Sequence, residues 1–291
     1  MGKFVDEFEE KLSNYTGARY VVLTVNGTAG LQLALQISGV SHGSEVLMPS
    51  LNFVAGANAV SQVGGIPHFI DVDPIRLTLC PVILEKHLNQ ICEIKNGVPL
   101  NQRTKRKISA ILPMHIFGHA ADIYSLRKVA KQFNITLVED AAEALGSFDN
   151  GKHLGSRSNI AVLSFNGNKI ITTGGGGAIL TNDKNLAAHA KHLSTTAKLA
   201  HKWRFFHDEI GYNFRMPNLN AALGLAQLEG LEKKLTNKRE LAAQYIKAFT
   251  KSEHVDIVKE PKNCKSNYWL NTIILKEATN ELQDYLIYKL H

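Results

Sequence analysis

The chain has 291 residues, 44% of them hydrophobic, which is enough for one large core and a smaller appendage. Its formal charge of +7 comes from 33 Lys+Arg against 26 Asp+Glu. The densest basic run, Arg103-Thr104-Lys105-Arg106-Lys107, has no interleaved aromatics, which argues for a solvated loop and against a nucleic-acid surface. Three cysteines without metal-ligand spacing, no stretch apolar enough to span a membrane and no signal-peptide core predict a soluble, cytoplasmic protein with reduced thiols.

Phe4, Phe8, Leu12 and Tyr15 recur at helical spacing, and Gly17 stops that helix. A buried strand follows at 20–25, and Asn26-Gly27-Thr28 opens an apolar helix to Ile37. A strand, a glycine turn and a helix start in succession can hold a phosphate on backbone N–H groups and a hydroxyl. The alternation continues with strand 45–48, a small-residue helix 54–63 behind Phe53, strand 67–72 and a helix around 82–88. A loop then runs to about 107, before strand 108–112, helix 122–133 and strand 135–138. Beyond Glu139-Asp140-Ala141-Ala142-Glu143 come strands 160–163 and 178–181, helix 185–193 and an irregular, aromatic-rich segment 194–216. Helices 219–228 and 233–249, strand 268–275 and helix 280–290 complete the chain.

Strands alternating with helices predict an α/β fold: three layers, αβα, with a mostly parallel central sheet covered on both faces. Residues 1–230 form the large domain, and 231–291 a connector helix and a partial small α+β domain. So small a sheet needs more strands to stand alone, so a truncated chain is expected.

Ligands of such sheets gather at the carboxyl ends of strands, and Thr28, Phe53, His115, Asp140, Ser164 and Lys169 all follow strand-like runs. Lys169 lies between Asn166-Gly167-Asn168 and a run of four glycines, Gly174 to Gly177. In a confined pocket desolvation lowers a lysine's pKa and yields a nucleophilic amine, able to form a Schiff base with an aldehyde cofactor such as pyridoxal phosphate. An exposed lysine beside a flexible linker is the plainer alternative. Asp140 is placed either to pair with a pyridine nitrogen or simply to cap a helix beginning at Ala141. His115 and His119 stand four apart, but Gly118 between them argues against a shared helical face and no third ligand is apparent, so no metal is expected.

Taken together, these stretches resemble the DegT/StrS-type nucleotide-sugar aminotransferases, which are fold-type I pyridoxal phosphate enzymes. The likeness rests on Asn26-Gly27-Thr28-Ala29-Gly30-Leu31, Glu45 to Ser50, Pro67 to Asp73, Val138 to Glu143, the Lys169 loop and Gly211-Tyr212-Asn213-Phe214-Arg215-Met216, in family order. It implies that Lys169 holds pyridoxal 5'-phosphate and moves the proton, and that Asp140 pairs with the pyridine nitrogen. Gly27, Thr28 and Ala29 with Ser164 would bind the phosphate, Phe53 would stack on the ring, and Asn213 would reach the cofactor phosphate of a partner subunit. A homodimer is then the minimal active unit.

Glu143 stands where many members have Gln, and Gly175 where many have Glu. Both variants resemble the branch that aminates UDP-linked 4-keto-6-deoxy sugars on bacillosamine- and legionaminic acid-type routes. The implied activity is amino transfer from an amino acid, glutamate by resemblance, to the keto carbon of such a sugar, for surface glycans. Glu143 would contact the ring oxygen or face the sugar. The family usually starts earlier and ends later, implying truncation at both ends. The alternatives are a cofactor-binding remnant without turnover, and the related sugar dehydratase, which has His where this chain has Lys169.

Overall fold

In the computed structural model, which describes residues 2–290, a seven-stranded sheet forms the centre of the molecule. Across it the strands run Tyr20–Thr24, Gly177–Thr181, Ile160–Ser164, Thr136–Asp140, Ile108–Ile111, Glu45–Pro49 and Ile66–Ile70. Six strands are parallel. Gly177–Thr181 alone is antiparallel to both neighbours, so Thr24 and Ser164 meet Gly177 on one rung.

Successive residues of a strand face opposite ways, and the core divides accordingly. Ala161 and Leu163 face the helices Lys3–Thr16 and Asn218–Glu229, packing with Phe8, Leu12 and Leu225. Ile160 and Val162 face the helices Gly27–Ile37, Val54–Gln62 and Lys184–Ser194, packing with Leu33, Ala59 and Leu193. Pro81–Ile91 and Ile123–Gln132 close a third cluster over Leu47, Ile108 and Leu137. A sheet apolar on both faces is buried on both, which is the three-layer α/β arrangement expected from the alternation.

Three local expectations are corrected. The stretch expected as a loop to about 107 contains a hairpin, Cys92–Lys95 with Val98–Asn101. Its turn is Asn96-Gly97, with φ of 52° and 79°, the left-handed pair that a two-residue hairpin turn needs. No helix starts at Ala141, because Thr136–Asp140 runs on through Asp140 into a series of turns, so Asp140 caps nothing. The strand expected at 268–275 shrinks to Ile273–Leu275, paired with Val255–Ile257. Tyr268 is left-handed (φ 47°), and side-chain bonds of Asn267 bend the backbone away from a ladder.

After Asn218–Glu229, Gly230 separates off the helix Leu231–Phe249. The two-stranded pair and the helix Asn280–Leu290 follow. Among the described residues, no helix is long and apolar enough to cross a membrane.

Candidate active site

The carboxyl ends of Tyr20–Thr24, Thr136–Asp140 and Ile160–Ser164 lie along one edge of the sheet; Lys169 stands in the loop that leaves Ile160–Ser164, facing Glu143 from the loop that leaves Thr136–Asp140. Its side chain is 10% exposed, which rules out the reading of a free linker lysine. Nζ stands 3.6 Å from Glu143 Oε1, 3.9 Å from the centre of the Trp269 ring and 5.9 Å from that of Phe53. Burial pulls the ammonium below its ordinary pKa, against the opposing charges of Glu143 and Asp140.

Glu143 is buried, and its Oε2 accepts the Phe117 N–H at 2.7 Å, with Phe117 itself left-handed (φ 57°). Burial pushes its carboxyl up to about 7, outweighing the Lys169 charge and the Phe117 bond. Asp140, also buried, accepts the Ala142 N–H at 3.1 Å through Oδ1, and among the described residues Oδ2 accepts no hydrogen bond. Desolvation raises Asp140 too, opposed by the Ala142 bond and by Lys169. Beneath it Gly56 keeps the cradle open: a methyl there would lie 3.2 Å from Met48 Cε and 3.8 Å from Asp140 Oδ2.

The adjacent carboxylate, Glu139, points to the other face of the strand. Its Oε2 accepts from His115 Nε2 at 2.7 Å, while His115 Nδ1 accepts the Ala121 N–H at 3.1 Å, which fixes the ring proton on Nε2. Burial works against the Glu139 charge, but the hydrogen bonds of His115 and Ser158 prevail and hold it below the usual carboxylate range. His119 bonds instead to Ser266 Oγ, so the two histidines serve separate partners.

At the other end of the opening, Asn26 caps the helix Gly27–Ile37 by accepting the Ala29 N–H at 2.8 Å. The first-turn N–H groups of Gly27 and Thr28 have no intrahelical partner and, with the helix dipole, form a seat for an anion. Ser164 adjoins that turn: a methyl on Gly27 would come within 3.1 Å of its hydroxyl. Gly177 supports it from below, since a methyl there would lie 2.8 Å from the Asn26 carbonyl and the Gly27 nitrogen. Gly176 is packed against Thr173 and Met216, whereas Gly175 has nothing nearer than the Val25 carbonyl at 3.7 Å. Only part of the glycine run is therefore a close approach.

Phe53 is 60% exposed and presents a free ring beside the lysine. Asn213 is exposed, pairs through its backbone with Thr195, and its side chain makes no hydrogen bond among the described residues. Sequence reasoning missed Phe117, Asn267 and Trp269. Asn267 is wholly buried, donating to the Glu143 and Leu145 carbonyls at 2.8 and 2.9 Å. The polar pair Ser266-Asn267 at the head of an apolar run was the signal.

A buried carboxylate with a free oxygen, a desolvated lysine, an anion seat and an open aromatic face are the donor set that an anionic pyridine aldehyde requires, so these residues fit pyridoxal phosphate. Comparison with known proteins agrees. The DegT/DnrJ/EryC1/StrS aminotransferase family matches residues 1–291. A GDP-perosamine synthase of Escherichia coli O157:H7 is 36% identical over 99% of this chain and 75% of its own length. A putative pyridoxal phosphate-dependent aminotransferase, EpsN of Bacillus subtilis, is 32% identical over 94% of this chain and 68% of its own. Among solved structures, DesV of S. venezuelae superposes with a TM-score of 0.86 at 28% identity, over 99% of this chain and 73% of that one. The chain belongs to the DegT/DnrJ/EryC1/StrS family and is a pyridoxal phosphate-dependent aminotransferase.

Proposed function

We propose that this chain transfers the amino group of an amino acid, glutamate, to the keto carbon of a nucleotide-linked 4-keto-6-deoxy sugar, for amino-sugar synthesis. Overall, amino acid and keto sugar become keto acid and amino sugar. The observation that carries the reading is Lys169 Nζ, buried between the Glu143 carboxyl and the Trp269 ring. UDP is the nucleotide expected from the sequence likeness, while the E. coli relative is named for a GDP sugar. We place the enzyme in the cytoplasm, in keeping with its three free cysteines, and take residues 1–230 as the cofactor-binding domain.

Pyridoxal phosphate, when bound, supplies an electron sink for bond breaking at the amine-bearing carbon. Lys169 anchors it and moves the proton at that carbon, a task suited to an amine whose pKa burial has lowered. Asp140, whose Oδ2 accepts no hydrogen bond among the described residues, would hold the pyridine nitrogen in its charged form. The free N–H groups of Gly27 and Thr28 at the helix N-terminus, with Ser164, would hold the phosphate, while the Ala29 N–H stays with the Asn26 cap that shapes the turn, and Phe53 would cover one ring face. Glu143 faces the lysine and controls its charge. Asn213 serves the phosphate site of a partner subunit, which makes the enzyme a homodimer.

The test is absorbance. Adding pyridoxal phosphate to the chain should produce a visible band, and glutamate should bleach it. UDP- and GDP-linked 4-keto-6-deoxy sugars, offered separately, should restore it with different efficiencies. Lys169→Ala should abolish band and transfer together, and a coloured, active Lys169→Ala variant overturns the assignment.

A further inference from the structure

Trp269 reaches the lysine loop from a segment 101 positions further along the chain. Its ring centre lies 3.9 Å from Lys169 Nζ, well inside the distance at which an aromatic face attracts an ammonium. Its indole Nε1–H donates to the Asn168 carbonyl at 2.7 Å, so the same side chain touches the lysine and holds the residue before it. Trp269 as a whole is 8% exposed, and the N–H of a buried indole needs such a partner.

The tryptophan is itself fixed. Its backbone N–H donates to Asn267 Oδ1 at 2.8 Å, and the Asn267 N–H donates to Ser147 Oγ at 2.9 Å. Upstream, Arg239 makes a two-pronged pair with Glu260 at 2.7 and 2.9 Å and also donates to the Ser266 carbonyl at 2.6 Å. Swinging the indole away would break its bond to the Asn168 carbonyl, while the other bonds hold the backbone that carries it. Phe53 is no equivalent, being 5.9 Å from Nζ and 60% exposed.

We propose that Trp269 is a positioning residue for Lys169: its ring face seats the lysine ammonium, and its indole N–H ties the lysine loop to the C-terminal part of the chain. The proposal rests on reading Lys169 as the lysine that binds the cofactor. Two charged groups also face Nζ, Glu143 and Asp140. Burial disfavours the ionised form of each, which leaves the ring as the support whose attraction does not depend on its own protonation.

The experiment uses the full chain loaded with pyridoxal phosphate. The chain has two tryptophans, and Trp203 is 76% exposed, so Trp203→Phe isolates the emission of Trp269. Cofactor loading should quench that emission strongly, and unquenched emission overturns the placement. The second readout is the pH midpoint of the visible band. Trp269→Leu should lower it by about one pH unit, since loss of the ring face disfavours the charged nitrogen. Trp269→Phe keeps a face and should hold the midpoint at the parent value while releasing the cofactor several-fold faster. Should Trp269→Leu fail to fold, Trp269→Met supplies bulk without a ring and should show the same downward shift. An unshifted midpoint in the ring-less variant means that Trp269 only packs, and overturns the proposal. Absence of any visible band in the unmodified chain is a different failure, that of the Lys169 reading.

Discussion

Glu143→Gln should stabilise the cofactor-free chain at alkaline pH and leave it unchanged in acid. Folding buries the carboxyl and raises its pKa from an ordinary 4.5 to about 7. A group raised on folding contributes stability that is fully present below its unfolded pKa and lost as pH rises through the folded one. The window therefore runs from about 4.5 to about 7. At about 1.4 kcal/mol per pH unit of displacement, carrying the charge above this window costs the fold about 3 kcal/mol. The attraction of Lys169 is already contained in that figure. Gln keeps the acceptor for the Phe117 N–H and has almost the same volume, so the substitution removes the charge while turning an amide N–H, in place of Oε1, toward Lys169. Urea denaturation of both proteins at about pH 4 and about pH 8 checks it: equal midpoints in acid, and a variant more stable by about 3 kcal/mol in base. Parallel pH profiles would refute the claim that a buried charge at Glu143 destabilises the fold.

Two further substitutions test the walls of the site. Gly177→Ala sets a methyl 2.8 Å from the Asn26 carbonyl and the Gly27 nitrogen. It should cost about 2 kcal/mol and weaken pyridoxal phosphate binding, whereas Gly175→Ala, with nothing nearer than 3.7 Å, should leave both unchanged; thermal melts and cofactor titration measure the pair. Asn267→Ala orphans the Glu143 and Leu145 carbonyls and the Trp269 N–H, for a loss of about 3 kcal/mol. Asn267→Asp, which turns a carboxylate oxygen toward those carbonyls, should be at least as damaging in urea denaturation.

What the sequence reveals is what local patterns encode. The alternation of apolar runs with helical periods locates all seven sheet strands, and with them the edge on which Asp140, Ser164 and Lys169 stand. The Asn96-Gly97 turn was equally local, and a stricter reading of that dipeptide would have found its hairpin. Asn267 and Trp269 were not legible in this way. An apolar run with two polar residues at its head resembles a strand, and its actual shape depends on carbonyls more than a hundred positions earlier. The sequence also names Glu143 without showing which way it faces, because that depends on a left-handed Phe117, a conformation that nothing in a phenylalanine announces.

The lone antiparallel strand ties the site to the register of the sheet. Gly177 shares its rung with both Thr24 and Ser164, the residues from which the two halves of the anion seat depart. A slip of one residue would bring Ala178 onto that rung, and its methyl would occupy the place where a side chain collides with Asn26 and Gly27. A misregistered sheet could bury almost as much apolar surface, yet it could not form the seat. With the phosphate seated as proposed, cofactor binding would report on strand pairing, because the seat needs Gly177–Thr181, the second strand from the sheet's edge, threaded in register.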